Sequence, residues 1–226
     1  MPKLTTLAIA LVLAGGPAVA IAGQLVGDTQ PKLTGTALVR ELKKGGHIIF
    51  FRHGPTTDFR EKDLADADLE KCELQRPLSD EGRSLTKKIG ESFKHLQIPI
   101  GVAYSSPYCR CVDTATNIAG RALKSKALHF AIHLRTSDRA TITAQLLDML
   151  GTAPAAGTNT IMVSHTANLQ EAVGIWPKPE GVAHVFKPGT AGQFTYVGSM
   201  TPEAWQEEAS RAGGKAGWLP KIFGEK

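Results

Sequence analysis

The sequence is poor in cysteine and aromatic residues, and its only long apolar run is at the N-terminus. Three of the 226 residues are cysteine and 6% are aromatic. Three cysteines without a histidine paired nearby argue against a zinc site. No cofactor is expected either. The net charge of +5 is not gathered into a basic run interleaved with aromatics. This distribution argues against nucleic-acid binding, and the sequence also lacks internal repeats.

The overall composition is that of a globular protein. Hydrophobic residues make up 42% of the chain and charged residues 21%, which argues against disorder. The length suits one α/β domain or two small ones. The mild positive charge favours anionic substrates by electrostatic steering.

The N-terminus has the pattern of a secretory signal peptide. Lys3 is followed by an apolar segment at 4–13 and then by small residues suited to cleavage. An uncleaved anchor is the alternative, but the segment is shorter than the ~20 residues that a membrane span needs. We therefore predict a signal peptide at 1–22, a linker at 23–33 and a single domain at 34–226. The mature protein is expected to be periplasmic or secreted, without a membrane span.

Export changes what the three cysteines indicate. In an oxidising compartment a cysteine pair is more often a disulfide than a metal site. Cys109 and Cys111 are two residues apart at a predicted helix start, so their side chains diverge. A disulfide from Cys72 to either Cys109 or Cys111 is the expected arrangement.

Alternating helix and strand patterns predict an α/β fold. Continuous apolar strands between amphipathic helices are typical of a mostly parallel sheet covered on both faces, a three-layer α/β/α sandwich. An antiparallel pair is predicted at the C-terminal end, and a short strand is predicted near 128–132. The predicted helices are 37–44, 79–96, 108–119, 137–150 and 167–173, and the predicted strands are 47–52, 98–105, 160–164, 182–187 and 193–198.

Three predicted parallel strands end in polar, reactive residues. These ends are Arg52-His53, Ser105-Ser106 and Ser164-His165. Parallel strands share one carboxyl edge, which is where ligands bind in open α/β sheets. An arginine beside a histidine at that edge indicates an anion site that contains a nitrogen nucleophile or base.

Four motifs in this order resemble those of the histidine phosphatase superfamily, which has the phosphoglycerate-mutase-like fold. The resemblance covers the chain from about 47 to 170. The motifs are Arg52-His53-Gly54, Leu78-Ser79-Asp80-Glu81-Gly82-Arg83, Ser105-Ser106-Pro107-Tyr108-Cys109-Arg110 with Thr114-Ala115, and Val163-Ser164-His165.

The resemblance implies a metal-independent phosphatase that acts on a phosphate monoester or a related small phosphorylated substrate. It implies that His53 is the nucleophile and forms a phosphohistidine, and that His165 donates to the phosphoryl oxygens. Arg52 and Arg110 are the implied substrate-binding residues, because planar guanidinium groups match phosphate oxygens. A non-catalytic phospholigand-binding protein on the same fold is the alternative. No oligomeric state is predicted.

The loop after the first motif departs from the family pattern. Many members carry an acid directly after Arg-His-Gly and an asparagine a few residues later. Here Pro55 replaces the acid, and Asp58 and Phe59 occupy the asparagine region. The hydroxyl of Thr56 or Thr57 is the candidate substitute for the lost phosphate contact.

The general acid also departs from the family pattern. One branch carries an acid directly after the second histidine, where this chain has Thr166-Ala167-Asn168. Asp138 and Glu180 are the candidate proton donors, although Asp138 also fits an ordinary acidic residue at a helix N-terminus. If neither reaches the site, acyl phosphates and phosphoramidates become the favoured substrates, since their leaving groups need less protonation.

Overall fold

A seven-stranded sheet forms the centre of the fold. The structure is a computed structural model that describes residues 23–57 and 69–213. Across the sheet the strands follow the order β1-β7-β6-β2-β5-β3-β4, and only β6 runs antiparallel to its neighbours. Both the mostly parallel sheet and the C-terminal antiparallel pair are confirmed. The strands are β1 (Gln24–Leu25), β2 (Ile48–Arg52), β3 (Ile100–Ser105), β4 (Leu123–Lys124), β5 (Asn159–Ser164), β6 (Ala183–Pro188) and β7 (Gln193–Met200).

Helices cover both faces of this sheet. They are α1 (Gly35–Leu42), α2 (Asp80–His95), α3 (Cys109–Ala119), α4 (Thr136–Gly151), α5 (Thr166–Val173) and α6 (Pro202–Ala212). Successive side chains of a strand point to opposite faces. Ile49 and Phe51 of β2 therefore pack with α1, α2, α3 and α6, while Ile48 and Phe50 pack with α4 and α5. The predicted three-layer sandwich is confirmed.

The N-terminus of α2 lies directly against the loop that follows β2. The hydroxyl of Ser79 caps the helix by accepting from the backbone N–H of Gly82 at 3.0 Å. A Cβ at Gly82 would lie 1.9 Å from the carbonyl oxygen of Pro55, and a Cβ at Gly54 would lie 2.6 Å from a methyl carbon of Thr86. The two glycines therefore permit the close approach that holds this loop in place.

The segment predicted as a linker, 23–33, instead contributes to the sheet. Gln24 and Leu25 form β1, which pairs in parallel with the edge of β7, and Leu33 forms a bridge with Gly198. The edge of β7 that faces away from β6 offers these backbone partners, a long-range effect that the local sequence does not reveal. The predicted signal peptide lies outside the described residues, and no helix within the described part is long and apolar enough to cross a membrane.

The short strand predicted near 128–132 is wrong. The sheet ends one element earlier, at β4, and the chain then forms 3₁₀ turns at Lys126–Leu128 and Ala131–His133. Buried side chains such as Leu128 and Ala131 produce the apolar pattern that suggested a strand. The turns carry Phe130 to the carboxyl edge of the sheet, where it contacts His165.

Candidate active site

The pairing of β2 with β5 brings the two motif histidines together. Arg52, the last residue of β2, is in register with Ser164, the last residue of β5. The backbone N–H of His53 donates to the carbonyl oxygen of Ser164 at 3.0 Å. The rings of His53 and His165 consequently lie with their centroids 5.4 Å apart, although 112 positions separate them in the chain.

His53 is buried in a form suited to nucleophilic attack. Its Nδ1 lies 2.8 Å from the carbonyl oxygen of Gly54. Because a carbonyl oxygen only accepts, Nδ1 carries the proton and Nε2 keeps its lone pair. Burial, and then the positive charge of Arg110, hold the pKa of His53 well below its ordinary value. The ring is therefore a neutral imidazole at neutral pH.

His165 is held in the opposite tautomer. Its Nδ1 accepts from the Arg110 guanidinium at 3.3 Å, and its Nε2 lies 2.9 Å from the hydroxyl of Ser106, to which it donates. Phe130 stacks on the ring with a centroid distance of 4.4 Å. Burial and the charge of Arg110 lower the pKa of this imidazole too. Donation from Nδ1 to a phosphoryl oxygen consequently requires a second proton on the ring.

Arg110 is fully buried, contacts His165, and its charge acts on His53. Its guanidinium carbon is 4.7 Å from the ring centroid of Tyr108 and 5.6 Å from that of Phe130, within the range of cation–π contacts. The hydroxyl of Thr114 donates to the Arg110 carbonyl oxygen at 2.7 Å and accepts from the Gly54 N–H at 3.0 Å. α3 and the loop of the nucleophile are thereby fixed to each other.

Arg52 is bound to the loop that precedes β6. Its Nη2 contacts Oε1 of Glu180 at 2.9 Å, and its Nη1 donates to the carbonyl oxygen of Pro177 at 3.3 Å. Both Arg52 and Glu180 are partly exposed, so they are accessible from solvent. Glu180 is therefore the candidate acid that lies next to Arg52, although it is not itself among the residues that line the cavity with His53.

Arg76 is a further site residue that sequence reasoning missed. It lines a cavity of about 280 Å³ together with Arg52, His53 and His165. Its charge also contributes to the lowered pKa of His53. The only sequence signal is its position directly before the Pro77-Leu78-Ser79 helix start, which does not indicate that its side chain belongs to the pocket.

A disulfide holds the segment that carries Arg76 against α3. Cys72 is bonded to Cys109, which resolves the two alternatives left by the sequence, and the buried Cys111 is not part of a disulfide. The side-chain carbonyl of Gln75 also accepts from the backbone N–H of Cys109 at 2.9 Å. Arg76 directly follows Gln75, and Arg110 directly follows Cys109. The disulfide and the hydrogen bond therefore fix these two cations relative to each other.

Asp138 and Thr56 lie apart from this cluster. Asp138 is in the first turn of α4, is partly exposed, and pairs with Nε of Arg135 at 3.3 Å. It lines a separate cavity with Leu69 and Lys124 rather than the one beside the histidines. The backbone of Thr56 forms an isolated bridge with Leu78 beside the start of α2. Neither residue is among those that line the cavity with His53.

The charges around the cavity favour an anion. Arg52 and Arg76 line the cavity with the two neutral imidazoles, and Arg110 contacts His165. The Glu171 carboxylate also lines the cavity but is paired with Arg139 at 3.4 Å. Within the described residues no group of three or more His, Cys, Asp or Glu side chains is arranged to hold a metal ion. Fixed guanidinium groups of this kind match the charge that develops on a transferring phosphoryl group.

Comparisons with known proteins agree with this chemistry. Residues 48–135 match the family model of the histidine phosphatase superfamily (branch 1), which confirms the resemblance and supports a phosphatase. His165 lies beyond the matched residues, and no curated protein matches the sequence.

Several solved structures resemble this chain. The protein histidine phosphatase SixA, complexed with tungstate, is 16% identical with a TM-score of 0.48, over 69% of this chain and 97% of that one. A putative phosphohistidine phosphatase SixA from Agrobacterium tumefaciens is 12% identical with a TM-score of 0.46, over 70% and 99%. A phosphoserine phosphatase mutant from Entamoeba histolytica, in complex with phosphoserine, is 14% identical with a TM-score of 0.46, over 70% and 98%.

Proposed function

Because the chain resembles the histidine phosphatase superfamily in its motifs and in its family-model match, we propose that it hydrolyses a phosphate monoester or a related phospho-compound through a phosphohistidine on His53. One observation carries the proposal. Two neutral imidazoles lie with centroids 5.4 Å apart beside the Arg52, Arg76 and Arg110 guanidinium groups. This arrangement supplies a nucleophile and a binding site for the phosphoryl oxygens.

The first half-reaction transfers the phosphoryl group to the enzyme. The lone pair on Nε2 of His53 attacks phosphorus, and the bond from phosphorus to the leaving oxygen breaks with its electron pair on that oxygen. The leaving oxygen takes a proton, for which Glu180, paired with Arg52, is the candidate donor. The imidazole becomes cationic as Nε2 bonds to phosphorus, and this strengthens the hydrogen bond that Nδ1–H donates to the Gly54 carbonyl oxygen.

The second half-reaction returns His53 to its starting state. Water attacks phosphorus and gives a proton to the Glu180 carboxylate, the bond to Nε2 breaks with its electron pair returning to the ring, and inorganic phosphate leaves. The negative charge of the bound phosphoryl group favours protonation of His165 at Nδ1. Nδ1 then donates to a phosphoryl oxygen instead of accepting from Arg110, whose guanidinium turns to the phosphoryl oxygens, while Nε2 keeps its bond to Ser106. Splitting the displacement into two steps lowers each barrier.

We also propose that the reaction needs no metal ion. The support is the set of guanidinium groups, since arginine offers planar, permanently charged donors to phosphoryl oxygens. Arg110 is held rigidly by Tyr108 and Phe130, so it is preorganised for the transition state.

Trapping of the covalent intermediate tests the proposal. The protein is quenched during turnover of an aryl phosphate with a chelator present, and mass spectrometry then locates the phosphoryl group. The expected result is an acid-labile phosphoryl group on His53. Binding of the aryl phosphate without turnover would instead support the phospholigand-binding alternative, and labelling confined to His165 would contradict the assignment of the nucleophile.

Export to the periplasm or the exterior is a further part of the proposal. The N-terminal pattern supports it, and so does the Cys72–Cys109 disulfide, because disulfides persist in oxidising compartments. The intact mass of the protein recovered from the extracytoplasmic fraction is expected to lack about the first 22 residues. Recovery of the full-length chain from the cytoplasm would overturn this expectation.

A further inference from the structure

Two large hydrophobic side chains are exposed at the rim of the catalytic cavity. Trp176 is 57% exposed and Ile132 is 59% exposed, and both line the cavity that contains His53. Single exposed apolar residues are common on protein surfaces. Two that line the same cavity are better evidence of a ligand site, because such sites combine apolar walls with a few well-placed polar groups.

Trp176 is held in place although its ring is exposed. Ile175, on one side, is buried among the residues packed under α4 and α5. Pro177, on the other side, accepts a hydrogen bond from Arg52 through its carbonyl oxygen. Nζ of Lys178 lies 5.7 Å from the centroid of the Trp176 ring. The chain is therefore anchored on both sides of the indole, on one side by Arg52, which also belongs to the proposed phosphate site.

We propose that Trp176, assisted by Ile132, binds the leaving group of the substrate through the flat face of a ring, so that the favoured substrates are phosphate esters of ring-containing alcohols. This inference rests on the proposed function. With the phosphoryl group bound by arginines beside His53, the leaving group extends toward the rim. A ring covers the indole face, whereas an acyclic chain covers little of it. Gln170 and Glu171 of α5 line the same cavity and offer polar contacts to substituents.

Binding measurements test the inference without depending on turnover. Phenylphosphonate and methylphosphonate carry the same anionic group and differ in the ring. By calorimetry, the native protein is expected to bind phenylphosphonate about tenfold more tightly, and Trp176→Ala to lose that preference. Trp176→Phe is expected to keep most of it. The matched control is Leu123→Ala, because Leu123 is 52% exposed but lies on β4, outside the cavity lining.

Turnover measurements then identify the type of ring. Phenyl phosphate probes an aryl ring, and glucose 6-phosphate is compared with glycerol 3-phosphate because both release a primary alcohol. Trp176→Ala is expected to lower kcat/KM about tenfold for the favoured ring substrate and less than about twofold for glycerol 3-phosphate. A ring preference that survives Trp176→Ala, or that is absent from the native protein, overturns the inference. Ring-selective binding without turnover would instead defeat the proposed function alone.

Discussion

His53→Ala is expected to lower kcat for an aryl phosphate by about 10⁴-fold or more, because the variant lacks the atom that forms the covalent intermediate. The remaining guanidinium groups still bind phosphate, so KM or inhibition by inorganic phosphate is expected to change much less. Steady-state kinetics with phosphate as a competing ligand separate the two effects. A loss that appears in KM alone would contradict a nucleophilic role.

The His53 experiment needs a test of folding, because His53 is a buried residue. His53→Asn provides one, since its amide can still donate to the Gly54 carbonyl oxygen that Nδ1 contacts in the native protein. His184→Asn is the matched control. His184 is also buried, contacts the Tyr196 hydroxyl at 3.0 Å, and has a pKa lowered by burial to about 4, but it lies on β6 away from the cavity lining. The control is expected to melt at a lower temperature and to retain kcat.

The sequence was sufficient to predict which polar strand ends lie together at one edge of the sheet. A parallel sheet places its carboxyl ends at one edge, and the register of Arg52 with Ser164 makes that edge a site for both histidines. Glu180 could be named as a candidate acid from its loop, but its contact with Arg52 depends on how that loop folds back over β2. Local patterns do not determine such a contact.

The parts of the site that escaped prediction come from irregular segments. Arg76 is placed by the Cys72–Cys109 disulfide and the Gln75 hydrogen bond, which join segments more than 30 positions apart. Phe130 is placed by two 3₁₀ turns whose buried side chains resemble a strand pattern in the sequence. Both positions depend on long-range packing, for which periodicity provides no signal.

Glu180→Gln is expected to lower kcat by about 10²-fold for an alkyl phosphate and by only a fewfold for an aryl phosphate with a good leaving group. The leaving alkoxide of an alkyl ester needs a proton as the bond breaks, whereas a stable phenolate needs little help. In the structure Glu180 is paired with Arg52. A phosphoryl group that engages Arg52 competes for this contact and leaves the carboxyl group free to carry a proton to the bridging oxygen.

Comparison of the two leaving groups separates proton donation from positioning of Arg52. Glutamine keeps an oxygen that can accept from the guanidinium, and any residual disturbance of Arg52 affects alkyl and aryl substrates alike, because both present the same phosphoryl group. Asp138→Asn is the matched control, since Asp138 pairs with Arg135 beside a separate cavity. Equal losses on both substrates would restrict Glu180 to holding Arg52. A selective loss in the Asp138 variant would instead make Asp138 the donor and require α4 to approach the histidines during turnover.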